Sequence, residues 1–317
     1  MSKYRDRLPQ LSGKPFLSDG GLETTLIFQE GLELPCFAAF TLLGSAEGRA
    51  HLSRYFERHL EIARRRAMGF ILDTPTWRAS AGWGRKLGIS PEEIDSFNRE
   101  SIAFAEAQRR HHETEETPIV VNGVFGPQGD GYRPESVMTA DEARRYHTAQ
   151  MRCFAEAGAD MASAITMTHT GEAIGIAQAA REFGLPVVIS FTVETDGRLP
   201  TGQSLAEAIT ETDEATGASP AYYMVNCAHP SHFQHELQSG ADWLRRIRGI
   251  RANASRRSHA ELDEATELDG GDPVELAADY AALKALLPQA TVFGGCCGTD
   301  HRHIEEISLA LGKAAIA

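Results

Sequence analysis

Short runs of apolar and β-branched residues recur along the chain, each followed by a longer amphipathic stretch. The runs are "PFLSDGG" near residue 17, "GFILDTPTW" at 69–77, "PIVVNGVFG" at 118–126 and "DMASAITMT" at 160–168. Four more follow: "PVVISFTVE" at 186–194, "AYYMVNCA" at 221–228, "RIRGIRANA" at 246–254 and "ATVFGGCC" at 290–297. The intervening helical patterns include "SAEGRAHLSRYFERHLEIARRRAMG", "SPEEIDSFNRESIAFAEAQRRHH", "TADEARRYHTAQMRCFAEAG", "TGEAIGIAQAAREFG" and "DPVELAADYAALKALLP". Several begin at a Ser, Thr or Asp that can accept from the free N–H groups of a first turn, and several are followed by Gly or Pro. About eight β-then-α units in ~300 residues predict an α/β fold, the (β/α)8 TIM barrel. No Gly/Pro/Ser-rich linker divides the chain, so residues 1–317 are expected to form a single domain. The alternative, a doubly wound open sheet, lacks its usual signature, since no G-x-G-x-x-G or P-loop follows any of the strands.

A barrel gathers its chemistry at the C-terminal ends of its strands. Cys227 ends the sixth predicted strand and Cys296 and Cys297 end the eighth, so three thiols on even-numbered strands can converge. Neighbours on a regular strand point to opposite faces. Cys296 and Cys297 therefore both turn inward only if the backbone leaves strand geometry, which Gly294, Gly295 and Gly298 would permit. Three thiolates would leave a tetrahedral Zn2+ with one open position, the pattern of a catalytic site. Such a site is a poor activator of water but can hold a substrate thiol as a nucleophilic thiolate. Buried small residues are the competing reading for each cysteine taken singly. A rival donor set combines Cys227 with His229, His232 and His235 in "NCAHPSHFQHE". Cys36 and Cys153 have no comparable context.

Composition narrows the classes. With 317 residues and 42% hydrophobic content the chain can bury a substantial core. Neither a charged-then-apolar leader nor an apolar run of about 18 residues is present, which points to the cytoplasm and to no membrane partner. Five cysteines, an odd number at irregular spacing, do not suggest a disulfide framework and remain free to be buried, catalytic or metal-bound. A net charge of −13 argues against a nucleic-acid partner. The arginine-rich stretch "RRIRGIRANASRR", residues 245–257, reads as a solvated loop or helix face. The expected partners are small molecules, with a homo-oligomer left open.

The motifs "SDGGLETTL", "GFILDTPTWRAS", "NGVFGPQGDGY", "SFTVETDGRLPTGQSLAEAI", "VNCAHP" and "FGGCCGTDHRHI" occur in this order along the chain. In that order they resemble the homocysteine S-methyltransferase family, zinc-dependent (β/α)8 enzymes that move a methyl group to a thiol. The resemblance implies that Cys227, Cys296 and Cys297 are the zinc ligands. It also implies that Asp19 lies near the amino-acid moiety of the substrate. A carboxylate before two glycines at a strand end could reach an ammonium, or could simply form the turn. Asn226 and Asn253 also fall at strand ends and are expected to line the pocket. The sequence departs from the family after "AGAD", where a glutamate usually stands in "ET" at the end of the fourth strand. Here Ile165 and Thr166 occupy that place, and Glu172 reads as a first-turn helix residue. An absent carboxylate removes a charge-assisted contact worth ~1.5–3 kcal/mol to an ammonium.

The expected activity is methyl transfer from a small onium donor, S-methylmethionine or S-adenosylmethionine, to a thiol such as homocysteine, giving methionine. No catalytic group beyond the zinc site is required, because an onium leaving group needs no proton. About 20 residues follow the cysteine pair, too few for a cobalamin or folate module, and the C-terminal extension usual in betaine-type members is missing. The alternative is a non-catalytic or divergent zinc barrel that binds a different small thiol. A zinc hydrolase would favour histidine and carboxylate ligands instead.

Overall fold

In a computed structural model, which describes residues 2–133 and 137–314, all eight predicted strands form, and every neighbouring pair is parallel. They are β1 (Phe16–Leu17), β2 (Gly69–Asp73), β3 (Ile119–Phe125), β4 (Met161–Met167), β5 (Val187–Phe191), β6 (Tyr222–Asn226), β7 (Ile247–Ala252) and β8 (Val292–Gly295). The sheet closes on itself where Phe16 pairs with Val292 and Leu17 with Phe293. Parallel strands of this kind are covered on both faces, which is why they read as near-continuous apolar runs.

The two faces feed two separate cores. Outward residues such as Leu17, Leu72, Val121 and Phe125 pack beneath the surrounding helices, against Leu52, Phe56, Ile102 and Phe154. Alternate residues, among them Phe16, Ile71, Val120, Met161, Val188, Tyr222 and Val292, form the inner cluster. The outer layer consists of α1 (Ala46–Arg65), α2 (Pro91–His112), α3 (Ala140–Ala157), α4 (Thr170–Glu182), α5 (Leu205–Thr216), α6 (Pro273–Leu286) and α7 (His301–Ala314). Reciprocal capping boxes start α2 at Ser90 and Glu93, α3 at Thr139 and Glu142, and α5 at Ser204 and Glu207. The sixth unit departs from the pattern, because β6 is followed only by one turn of helix at Pro230–Phe233 and two short 3-10 segments. Among the described residues, no helix is long and apolar enough to cross a membrane.

The N-terminal segment plugs the barrel at the end where the strands begin. Leu8 joins the inner cluster, and the buried Gln10 amide reaches Met161 Sδ at 3.1 Å at the start of β4. Asp160, fully buried, anchors this plug: one carboxylate oxygen accepts from the Lys3 and Tyr4 amides at 2.7 and 2.8 Å. Its other oxygen accepts from Val121 N at 2.9 Å and pairs with Arg109 at 2.5 Å. Replacing Asp160 with Ala strands the Arg109 guanidinium without its ion partner at this position. A loss of ~3–5 kcal/mol is expected, read as a lower urea midpoint at unchanged slope.

Candidate metal centre and its cavity

Three sulfur atoms meet at the C-terminal mouth of the barrel. Cys227 directly follows β6, Cys296 and Cys297 directly follow β8, and the three Sγ atoms all lie within 4.8 Å of one another. The backbone at each position is bent to achieve this. Cys227 adopts a left-handed conformation (φ 51°), which any side chain resists. Its amide donates to Arg251 O at 3.2 Å and its carbonyl accepts from His259 Nε2 at 2.6 Å, so both sides of the bend are held. Cys296 and Cys297 lie beyond the last strand residue, where strand alternation no longer applies. Gly298 closes their turn at φ 79°. Gly294 and Gly295, by contrast, remain in β8, and their role is close approach: a Cβ would collide with Ser18 Oγ at one and Thr299 Oγ1 at the other.

Each sulfur has a polar neighbour suited to a thiolate. Thr166 Oγ1 donates towards Cys227 Sγ at 3.8 Å and the Asn226 amide towards Cys296 Sγ at 3.9 Å. The Tyr132 hydroxyl lies 3.4 Å from Cys297 Sγ, and its ring stacks on His259 at 4.0 Å between centroids. Burial pushes the Cys297 thiol up, which favours a neutral thiol unless a cation stands beside it. Three thiols are a donor type that suits zinc, and one pair, Cys227 and Cys297 at 4.0 Å, stands near the separation of about 3.8 Å that bonds of ~2.3 Å at tetrahedral angles require.

The structure also joins Cys227 and Cys296 in a disulfide, leaving Cys297 free. One pair is not the disulfide framework that the sequence argued against, but it removes two of the five thiols expected to be free. The convergence that would suit a metal also brings two of the thiols within bonding reach. The histidines of the rival set do not join the sulfurs. His229 Nδ1 accepts from the Ser231 amide at 3.2 Å, His232 Nε2 donates to Arg256 O at 2.9 Å, and His235 is exposed beside Glu236.

Asp19 is found at the mouth, but its partner is internal. Its Oδ1 binds Arg251 Nη2 at 2.6 Å and its Oδ2 accepts from the Tyr55 hydroxyl at 3.1 Å. The same guanidinium binds Asp73 through Nη1, and Nε donates to Gly295 O at 3.2 Å. Arg251 thus ties β7 to β1, β2 and β8 from inside the barrel. It lies within the arginine-rich stretch read from sequence as solvated, and that reading is corrected here: Arg251 is 8% exposed, whereas Arg245, Arg256 and Arg257 are exposed. Burial raises the Asp19 carboxyl to about 7 against the pull of Arg251, because Asp73 shares the same cation.

Asn226 and Asn253 are fully buried and neither belongs to the cavity lining. Asn226 Oδ1 accepts from Thr166 N at 3.0 Å and Ser190 Oγ at 2.6 Å, and its amide donates to Thr166 Oγ1 at 2.8 Å. These bonds hold Thr166 in its left-handed conformation (φ 67°), inside a register shift between Ala164 and Met167. The irregularity turns both Ile165 and Thr166 to the cavity. Glu172 is a buried partner of His147 at 2.8 Å and of the Gln128 amide at 2.8 Å.

The cavity above the sulfurs has a volume of about 330 Å³. Besides the three cysteines its lining includes Trp77, Arg78, Tyr132 and Ile165 and the carboxylates of Asp19, Glu23, Asp73, Asp130, Asp263, Glu267 and Asp269. Glu23, Arg78 and Tyr132 were not singled out from sequence, although each sits inside a quoted motif: "SDGGLETTL", "GFILDTPTWRAS" and "NGVFGPQGDGY". Burial raises the Glu23 carboxyl to about 7, opposed by its own backbone N–H and by Arg78 and Arg251.

A sequence profile described as Homocysteine S-methyltransferase matches residues 16–311. The homocysteine S-methyltransferase YbgG of Bacillus subtilis (strain 168) is 25% identical over 195 residues, 59% of this chain and 58% of that protein. The matched region thus spans less than two thirds of that relative. Crystal structures of the homocysteine methyltransferase MmuM from Escherichia coli are similar in fold. The oxidised form superposes with a TM-score of 0.76 at 17% identity, covering 95% of this chain and 97% of that one. The metallated form gives 0.72 at 18% identity, covering 94% and 96%.

Two substitutions test the electrostatics of the mouth. Arg251→Met leaves Asp19 and Asp73 buried side by side without their cation, with an expected loss of ~3–5 kcal/mol in urea unfolding. For Glu23 the folded carboxyl titrates near 7 rather than 4.5, so the folded protein holds this proton more tightly than the unfolded chain. That stabilisation is fully present below pH 4.5 and is lost as pH rises through 7. Glu23→Gln should therefore gain on the wild type across this window, by up to about 3 kcal/mol, in unfolding curves measured at successive pH values.

Proposed function

Since the chain belongs to the homocysteine S-methyltransferase family, we propose that it works as a single (β/α)8 domain that methylates a small thiol, homocysteine or a close analogue. The donor in this reading is a small onium compound, S-methylmethionine or S-adenosylmethionine, and Zn2+ is held by Cys227, Cys296 and Cys297. The observation that carries the proposal is the meeting of three sulfurs at the floor of a cavity large enough for a small substrate. Bound there, zinc would supply the means of keeping the acceptor sulfur as a thiolate at neutral pH.

The chain's own residues do the rest. Thr166, Asn226 and Tyr132 each present a polar hydrogen to one ligand sulfur, which fixes the orientation of the set. Ile165, Trp77 and Tyr132 line the cavity and displace water from around the acceptor sulfur. At the rim the exposed rings of Phe28 and Phe37, together with Glu23, suit the positive charge of an onium donor. In the transfer the acceptor sulfur forms a bond to the methyl carbon as the onium sulfur–carbon bond breaks. The bonding pair leaves with the donor sulfur as a neutral thioether, and no proton is needed.

The pairing of Asp19 with Arg251, together with Ile165 on β4, favours an acceptor whose ammonium is weakly recognised, and so a thiol that differs from homocysteine at that end. The test compares reduced wild-type protein with Cys297→Ser for bound zinc and for methyl transfer. The variant is expected to lose zinc and to fall at least ~100-fold in rate. Equal activity without metal in either protein would remove the proposal.

A further inference from the structure

Among the described residues Arg78 carries a charge with no ion-pair partner. It follows β2, is 6% exposed and lines the cavity above the sulfurs. Its guanidinium carbon lies 3.8 Å from the ring centroids of both Trp77 and Trp83. One terminal nitrogen donates to Gly129 O at 3.0 Å, while Nε is buried with no partner. Among the described residues it forms no ion pair, and the acidic groups Asp130 and Glu23 act on it only through space. Burial lowers it to about 10, so it remains charged at neutral pH.

An isolated buried cation is expensive, by several kcal/mol after relaxation. The two indole faces attract the guanidinium and fix its plane, but they do not neutralise it. A planar fork held rigid, with N–H groups left over, matches a carboxylate. Of the carboxylates lining the cavity, Asp19 and Asp73 are bound by Arg251, and Glu23, Asp130, Asp263, Glu267 and Asp269 form no ion pair with Arg78. What the guanidinium itself lacks is a negative partner within hydrogen-bond reach.

We propose that Arg78, clamped between Trp77 and Trp83, is the seat for a substrate carboxylate in the methyl-transfer cavity. The assignment rests on the thiol-methylation reading above and makes the carboxylate, rather than an ammonium, the principal polar handle of the substrate. That carboxylate could belong to the acceptor or to an amino-acid onium donor. The chemistry is the same, and the kinetics separate the two.

Three acceptors dissect the requirement: homocysteine, 4-mercaptobutanoate, which lacks the ammonium, and 3-aminopropane-1-thiol, which lacks the carboxylate. S-methylmethionine and trimethylsulfonium make the same comparison for the donor. The wild type is expected to favour carboxylate-bearing compounds on one of the two sides. Arg78→Gln should raise KM for those compounds ten- to a hundredfold and leave carboxylate-free compounds unchanged. Arg78→Lys, which keeps the charge but not the fork, should fall between. The side on which KM moves identifies the source of the carboxylate.

A second readout requires neither metal nor turnover. Two of the three tryptophans flank Arg78, so titrating 4-mercaptobutanoate or S-methylmethionine into the reduced, metal-free protein should change intrinsic fluorescence saturably. The change should weaken by the same factor in Arg78→Gln. If the wild type does not discriminate by the carboxylate, or if Arg78→Gln only lowers the melting temperature, the guanidinium is a packing element and the assignment falls. If the wild type methylates no thiol but fluorescence still reports carboxylate binding lost in Arg78→Gln, the anion seat stands and the methyltransferase reading falls.

Discussion

Arg251 reaches from β7 into the barrel and shares its charge between Asp19 and Asp73 while its Nε holds Gly295 O. Three buried charged groups in one small space are stable only together, since removing any one leaves the others uncompensated in a medium of low polarity. Everything at the mouth is placed relative to this cluster. Gly295 is the last residue before the cysteine pair, and the carbonyl of Arg251 receives the amide of Cys227. Both arms of the sulfur site therefore hang from one residue.

The sulfur site itself is built from backbone that departs from regular geometry. Cys227 and Thr166 are left-handed without being glycine, and each is over-determined by buried hydrogen bonds, from His259 at the first and Asn226 at the second. Strain of this kind persists only when the surroundings enforce it. What it achieves is convergence: three thiols from two strands, with polar hydrogens behind them and an aromatic-lined cavity in front. The same closeness places Cys227 and Cys296 within disulfide-bonding reach.

The cavity has an unusual division of charge. Asp19 and Asp73 are engaged with Arg251, while Arg78 is buried against rings and, among the described residues, forms no ion pair. A rigid guanidinium in this state favours an anionic ligand, as proposed above. Ile165 on β4 contributes in the same direction by offering an apolar wall.

Local pattern alone determined the eight strands, most of the major helices and the strand ends that carry Cys227, Cys296 and Cys297, because burial on both faces and helix capping leave marks on neighbouring residues. It also determined the family motifs, since those are contiguous. The partners that meet only across the barrel were not legible: Arg251 looked like part of a solvated basic run, Asp19 like a free carboxylate, Asn226 like a pocket residue. Each of these readings turned on which side chain lies opposite, 36 to 232 residues away for Asp19 with Tyr55 and Arg251, and sequence neighbours carry no record of that. Ring closure decided it, by bringing β7 beside β8 and both within reach of β1, so that one guanidinium could satisfy two carboxylates while another, Arg78, pairs with none among the described residues.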